Sequence, residues 1–115
     1  MAFTDDELAN IQRTAGALIA RRQPPEHLRD QIRHELELDG HRVRIWTIRP
    51  RWNDPTQTTR SGVAQFTFTR TTHRWTLSWM RQDGKWHAWP PAARTTTLAG
   101  LVRIVDEDRE GGFWG

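Results

Sequence analysis

The stretch His41–Trp52, HRVRIWTIRPRW, carries the most distinctive chemistry of the chain, because four arginines alternate with two tryptophans along it. Guanidinium groups bind phosphate and indole rings stack on bases, so this composition is typical of a strand that binds nucleic acid. In the alternative interpretation, Arg42 and Arg44 form the solvated side of an ordinary amphipathic strand with Trp46 in the core. Both interpretations stay open. The candidate binding residues of this stretch are Arg42, Arg44, Arg49, Arg51 and Trp52.

Three further candidates are aromatic or imidazole side chains nearer the C-terminus: His87, Trp89 and Trp114. His87 and Trp89 are predicted on the solvent face of the last strand, where they could serve as a stacking surface. The predicted outward face of the last three strands carries no Arg or Lys, which weakens the nucleic-acid interpretation. Phe113-Trp114 is expected either to dock on the core or to be a linear motif for a partner.

Residues that could catalyse or ligate a metal form no recognisable motif. The five histidines have no metal-ligand spacing on a predicted element, and the chain has no cysteine. Glu35 and Glu37 fall on the same strand face as Arg42 and Arg44, so cross-strand ion pairs explain them. The sequence therefore favours a non-catalytic protein and predicts no cofactor.

Local patterns predict one α+β domain over residues 1–115, a two-layer sandwich of a five-stranded antiparallel sheet with N- and C-terminal helices. Thr4 and Glu7 form a capping box at the start of the first helix. The predicted helices are 4–22, a short one at 25–33, and 96–106. The predicted strands are 34–38, 41–49, 62–69, 74–81 and 86–89, followed by a tail at 107–115.

Two Asp-Gly pairs, Asp39-Gly40 and Asp83-Gly84, predict hairpins with two-residue turns. The second turn places Trp79 opposite Ala88 and Arg81 opposite Trp86. That register puts five residues on the core face: Trp75, Leu77, Trp79, Trp86 and Ala88. Between the second and third strands, residues 52–61 are expected to form a loop with Asn53-Asp54-Pro55 as its turn, and Pro90-Pro91 is expected to end the last strand.

The net charge of +3 is unevenly distributed. Residues 1–39 carry five basic and eight acidic side chains, residues 40–104 carry eleven and two, and residues 105–115 carry one and four. This basic middle would attract a polyanion, unless the acidic ends fold against it and neutralise it. The sequence shows no signal peptide and no apolar stretch of membrane-spanning length, so we expect a cytoplasmic protein that does not enter a membrane.

Several of these motifs resemble bacterial domain-of-unknown-function family 3024. They are Arg49-Pro50 with Trp52, the strand Trp75-x-Leu77-x-Trp79, the turn Asp83-Gly84-Lys85-Trp86-His87 and the ending Phe113-Trp114-Gly115. The Ala88-Trp89 pair departs from the Tyr expected there. The resemblance implies a single small domain and supplies no catalytic residues. We therefore expect a binding or interaction module with a protein partner or a second copy of itself; the alternative is a nucleic-acid-associated protein.

Overall fold

The computed structural model describes residues 3–89 and 96–114. Within them, α1 (Asp5–Ile11) continues through a π-helical segment (Gln12–Gly16) into α2 (Ala17–Arg22), and α3 (Leu98–Glu107) follows the sheet. The strands are β1 (Arg33–Asp39), β2 (Arg42–Arg51), β3 (Asp54–Thr69), β4 (Arg74–Met80) and β5 (Trp86–Ala88). They form one antiparallel sheet in chain order. This is the predicted α+β architecture with a helix at each end.

Both helical regions begin at a threonine cap, the first at the predicted capping box and α3 two residues after the predicted start at 96. The Thr4 hydroxyl accepts a hydrogen bond from the backbone N–H of Glu7 at 3.2 Å, and the Glu7 carboxylate accepts one from the N–H of Thr4 at 2.8 Å. These reciprocal bonds satisfy N–H groups that have no partner inside the helix. At α3 the hydroxyl of Thr97 accepts from the N–H of Gly100 at 3.1 Å. Polar caps therefore fix where each helix starts.

The main core lies between the helices and one face of the sheet. The apolar spacing of three and four along the helices directs one stripe at the sheet, and each fully buried Leu, Ile or Val contributes about 1.5–3 kcal/mol. The helices contribute Ile11, Ala15, Leu18, Ile19, Leu98, Leu101, Val102 and Val105. The sheet contributes Val43, Ile45, Ala64, Phe66, Phe68, Trp75 and Leu77. We call this side of the sheet the helix face and the opposite side the outer face.

A β-bulge at Val63 separates two pairs of the β2–β3 ladder. Ile45 pairs with Ala64 and Trp46 pairs with Gly62, so β3 carries the extra residue and β2 keeps its simple alternation. As a result Trp46 projects from the outer face, opposite to Ile45, yet it is buried. The protein therefore has a second, smaller apolar cluster, which no helix of the described residues covers.

The predicted second helix at 25–33 is wrong. Only Glu26–Leu28 forms a single 3-10 turn, and β1 already begins at Arg33. The side-chain amide of Gln23 donates to the carbonyl oxygen of His34 at 2.7 Å and accepts from its N–H at 3.1 Å, which holds the chain in an extended path. Leu28 remains 36% exposed, so a longer helix would have had little apolar surface to bury.

The predicted loop at 52–61 is also wrong, because β3 starts at Asp54 and runs for 16 residues. The tight turn is Trp52-Asn53, with Arg51 paired to Asp54, and a register shift follows it, because Pro50 pairs with Thr58 and residues 55–57 have no partner on β2. The Asp54 carboxylate accepts from the N–H of Thr56 at 3.1 Å and from its hydroxyl at 2.6 Å. The threonines that follow favour extended backbone, so the strand continues where turn residues suggested a loop.

The β4–β5 hairpin has a different register from the predicted one. Met80 pairs with Trp86 and Ser78 with Ala88, because the loop holds three residues rather than two. Gly84 adopts φ +74° within that loop, which a three-residue hairpin loop with a bulge requires. A slip of one residue moves Trp86 and Ala88 from the core face to the outer face. The predicted strand end at Pro90-Pro91 lies outside the described residues.

Candidate functional site

Strands β2 and β3 extend together beyond the rest of the sheet. Ile48 is the last residue of β2 that pairs with β1, and the pairs that follow involve β2 and β3 alone. Residues 49–59 therefore form a two-stranded extension, which we call the β2–β3 ribbon. Arg49 pairs with Thr59 in it, and Arg51 with Asp54. Both faces of the ribbon are available to solvent, since residue 49 and residues 51–59 are all exposed.

The tip of the β2–β3 ribbon exposes a tryptophan. The side chain of Trp52 is 94% exposed, far more than the other large hydrophobic residues on the described surface. It borders a shallow cleft of about 430 Å³ lined by Arg49, Pro50, Arg51, Trp52, Asn53 and Thr59. An exposed indole of this kind gains nothing for folding, because almost none of its apolar area leaves water. The cleft combines one aromatic face with two guanidinium groups.

The two arginines of this cleft are uncompensated. No carboxylate of the described residues forms an ion pair with Arg49 or Arg51. Asp54, the acidic residue of the ribbon, directs one carboxylate oxygen at Thr56. The ribbon is therefore a cationic surface, and an anion approaching it would not have to displace an internal partner.

The other two candidate arginines are placed elsewhere. Arg42 is exposed and Arg44 is largely covered, and both lie on the outer face because they alternate with the buried Val43 and Ile45. Arg44 is held by Asp39 at 2.8 Å and by Glu37 at 3.2 Å. Arg42 stands nine residues before Arg51 on the same strand, a separation of about 30 Å.

The four arginines singled out from the sequence therefore do not form one patch. The alternation along β2 directs Arg49 to the helix face, opposite to Arg42 and Arg44. The charge of Arg49 also contributes to lowering the pKa of His34, whose β1 position pairs with Thr47 on that face. The structure brings together Arg49, Arg51 and Trp52. Arg42 and Arg44 lie apart from them.

His87 and Trp89 do not form the predicted exposed pair. The imidazole Nε2 of His87 lies 2.8 Å from the Asp83 carboxylate, within the hairpin loop. Trp89 packs on the helix face, with its ring 5.3 Å from that of Trp79 and 4.6 Å from that of Phe113. The same one-residue slip explains this arrangement, because it moves Trp89 inward while Trp86 moves outward.

Trp114 docks on the fold rather than extending as a free motif. Its indole N–H donates to the carbonyl oxygen of Val105 at 2.9 Å, and the guanidinium of Arg22 lies 4.4 Å from its ring centre. The carboxylate of Asp108 accepts from the N–H groups of Phe113 and Trp114 at 3.0 and 2.9 Å. The ring of His34 meets the indole edge-on at 5.0 Å. Burial, and then the charges of two arginines, lower the pKa of His34.

The outer face holds a pair of tryptophans, Trp46 and Trp86, of which Trp86 was wrongly predicted to lie on the core face. The rings of Trp46 and Trp86 meet edge to face at 5.6 Å, and the guanidinium of Arg60 lies 4.0 Å over Trp46. The indole N–H of Trp46 donates to Glu37 at 3.1 Å. Burial pushes the pKa of Glu37 upward, but the hydrogen bonds from Trp46 and Arg44 outweigh it and lower the pKa overall. The rings and charged groups of this cluster therefore contact one another.

Three arginines of the basic middle segment, Arg44, Arg60 and Arg70, form ion pairs with carboxylates of the acidic N-terminal region. Glu7 binds Arg70 through both carboxylate oxygens, at 2.9 and 3.1 Å. The hydrogen bond from Arg70 is the main cause that lowers the pKa of Glu7 to about 2. Glu37 likewise binds Arg44 and Arg60. Arg49 and Arg51 of the ribbon form no such ion pair with the described residues.

Residues 3–89 and 96–114 bring no three His, Asp or Glu side chains close enough to hold a metal ion. In the same residues no helix has the length and apolar character needed to span a bilayer.

Comparison with known proteins places the chain in a family. Residues 3–115 match the model of the family described as Domain of unknown function (DUF3024). No curated protein and no solved structure matches the chain.

Proposed function

We propose that this chain, which belongs to the DUF3024 family, is a non-catalytic binding module whose contact surface is the tip of the β2–β3 ribbon. The observation that carries the proposal is the exposure of Trp52, at 94%, beside the cleft that it shares with Arg49 and Arg51. Aromatic and Arg side chains are the residue types most enriched in the contacts that dominate binding energy.

The other prominent side chains of the described molecule have structural roles, which supports this choice of surface. The indole N–H groups of Trp46 and Trp114 are hydrogen-bonded, and the ring of Trp89 packs on Phe113. The carboxylate with the most perturbed pKa, Glu7, is tied to Arg70 and to a helix cap. These groups stabilise the fold, whereas Trp52 has no such role.

An NMR titration tests the proposal. Uniformly ¹⁵N-labelled protein is titrated with a single-stranded oligonucleotide, a duplex oligonucleotide and polyglutamate, and is also examined at rising protein concentration. We expect at least one of these conditions to move the backbone amide signals of residues 49–59 while those of α3 stay in place. The proposal is contradicted if binding maps to α3 or to the outer face, or if none of the conditions moves the ribbon signals.

A further inference from the structure

The geometry of the ribbon tip points to one occupant: we propose that it binds a single-stranded nucleic acid, with Trp52 stacking on an unpaired base and Arg49 and Arg51 contacting the flanking phosphates. This inference rests on the ribbon being the contact surface, as proposed above. It commits to chemistry that DNA and RNA share, namely a base face and a phosphodiester backbone.

Charge complementarity is the first argument for a polyanion. Arg49 and Arg51 line the same cleft, and neither has a carboxylate partner among the described residues. Several other arginines are held in ion pairs, namely Arg44 and Arg60 with Glu37, and Arg70 with Glu7. The ribbon is therefore a place where phosphate can meet guanidinium without first breaking an internal ion pair.

The composition of the ribbon argues against a second protein chain as occupant. A stable protein interface buries about 800 Å² on each side around an apolar centre. Between residues 49 and 59 the apolar side chains are Trp52 and two prolines, and the remainder are Arg, Asn, Asp, Thr and Gln. One aromatic side chain among polar groups is too little for such a centre, but it suffices for stacking on one base.

The position of Trp52 favours a single strand over a duplex. A two-stranded ribbon fits the major groove, where bases are read through hydrogen bonds at their edges. An indole offers one N–H donor and two large π faces, and in a duplex the base faces are already covered by their neighbours. At 94% exposure both indole faces of Trp52 are accessible. Stacking on an exposed aromatic ring is the mode by which unpaired bases are bound with little sequence preference.

Fluorescence anisotropy with labelled oligonucleotides of about 12 nucleotides tests the inference. The probes are oligo-dT, oligo-rU and a mixed-sequence DNA duplex, each measured at about 50 and about 200 mM salt. Two phosphate contacts on a single strand predict a log–log salt slope of about −1.4, which is about a sevenfold loss of affinity over that range. We expect DNA and RNA single strands to bind within about threefold of each other, and the duplex to bind at least tenfold more weakly.

Three ribbon variants separate the two kinds of contact. Trp52→Ala should weaken single-strand binding about tenfold at each salt concentration without changing the slope, because it removes the stack alone. Trp52→Phe should recover most of that loss. The double variant Arg49→Ala/Arg51→Ala should bring the slope close to zero. The matched control is Arg103→Ala, which removes one exposed positive charge from α3 and should alter affinity by less than about twofold.

The inference is overturned if the duplex binds as tightly as the single strands, if Trp52→Ala binds like the wild type, or if the double variant keeps the slope. A second outcome is that the protein dimerises, that Trp52→Ala abolishes the dimer and that no single strand binds. This outcome overturns the inference but leaves the ribbon as the contact surface. Failure of every partner class to move the ribbon amide signals would remove the proposed function as well. The two failures are thus distinguishable.

Discussion

Replacing Gly62 by alanine should destabilise the protein by pushing Trp86 off the outer face. A Cβ atom at position 62 would lie 2.6 Å from Cη2 and 2.9 Å from Cζ2 of Trp86, and 3.0 Å from the terminal methyl of Met80. Carbon atoms in contact ordinarily stand about 3.5–4.0 Å apart, so the ring has to move by about 1 Å. The indole cannot move freely, because it also packs edge to face on Trp46.

Overpacking of this size lowers the free energy of unfolding by about 1–3 kcal/mol. For a chain of this length, each kcal/mol corresponds to a fall of about 4 °C in Tm. The matched control is Gly40→Ala. No atom lies within 4 Å of the Cβ position at Gly40, so that variant reports the strain of its φ of +58° without any clash.

Urea unfolding of Gly62→Ala, Trp86→Leu and the double variant measures the effect. With the shorter leucine at position 86, the added methyl group has room, so the two substitutions should be coupled by at least about 1 kcal/mol. The reasoning is refuted if Gly62→Ala leaves stability unchanged, or if its effect is the same with Trp and with Leu at position 86. Either result would mean that Trp86 does not cover Gly62 and that the β4–β5 register is wrong.

Three further predictions concern side chains with contrasting roles. Trp52→Ala should change the free energy of unfolding by less than about 0.5 kcal/mol, whereas Trp46→Ala should lower it by about 3–5 kcal/mol; equal effects in urea unfolding would contradict the assigned burial. Asp108→Ala should lower it by about 1–3 kcal/mol, because two N–H groups of the tail lose their acceptor, and Asp108→Asn should lose less; thermal unfolding of both variants decides. Glu7→Gln keeps the helix cap but removes the charge that binds Arg70. Because the pKa of Glu7 falls from 4.5 to about 2 on folding, its charge stabilises the fold fully above pH 4.5 and progressively less as the pH falls toward 2. The stability difference between wild type and Glu7→Gln should shrink over that range, and a difference independent of pH would contradict the ion pair.

Local signals were sufficient for the start of the first helix and for the order of the five strands between the two terminal helices. The capping box of Thr4 and Glu7 is present as predicted, since it depends on side chains three residues apart. The β1–β2 hairpin forms close to its Asp-Gly pair, but Asp39 pairs with Arg42, so the two turn residues are Gly40-His41 and not the predicted Asp39-Gly40. The capping contacts are encoded within a few residues, so a single sequence reveals them, whereas the exact position of a turn depends on the strands that it joins.

The register of the second hairpin could not be predicted from its Asp-Gly pair either. A two-residue and a three-residue loop both place Gly84 in a left-handed conformation, and they differ by one position in the pairing of β5. Tertiary contacts decide between them. Trp86 fills the space above Gly62, and Trp89 fills the space beside Phe113. Neither space is visible in the sequence, so the exposed pair predicted at His87 and Trp89 was wrong.

The candidate site was predicted in part. The composition of residues 41–52 indicated Arg and Trp chemistry, and Trp52 with Arg49 and Arg51 does share one cleft. The sequence did not show that Arg42 lies at the far end of the same strand or that Arg44 is held by carboxylates. Those facts depend on the alternation of β2 and on the position of β1 beside it. The ribbon was missed because its turn residues resemble a loop.

The most direct test of the central claim is ¹⁹F NMR of the protein labelled with 5-fluorotryptophan, in which the signal of Trp52 is assigned from the Trp52→Phe variant. We expect a single-stranded oligonucleotide to shift the Trp52 signal, because a stacked base changes the magnetic environment of the ring. The signals of Trp46 and Trp114 should stay in place. An unchanged Trp52 signal in the bound protein, with shifts at the other tryptophans instead, would contradict it.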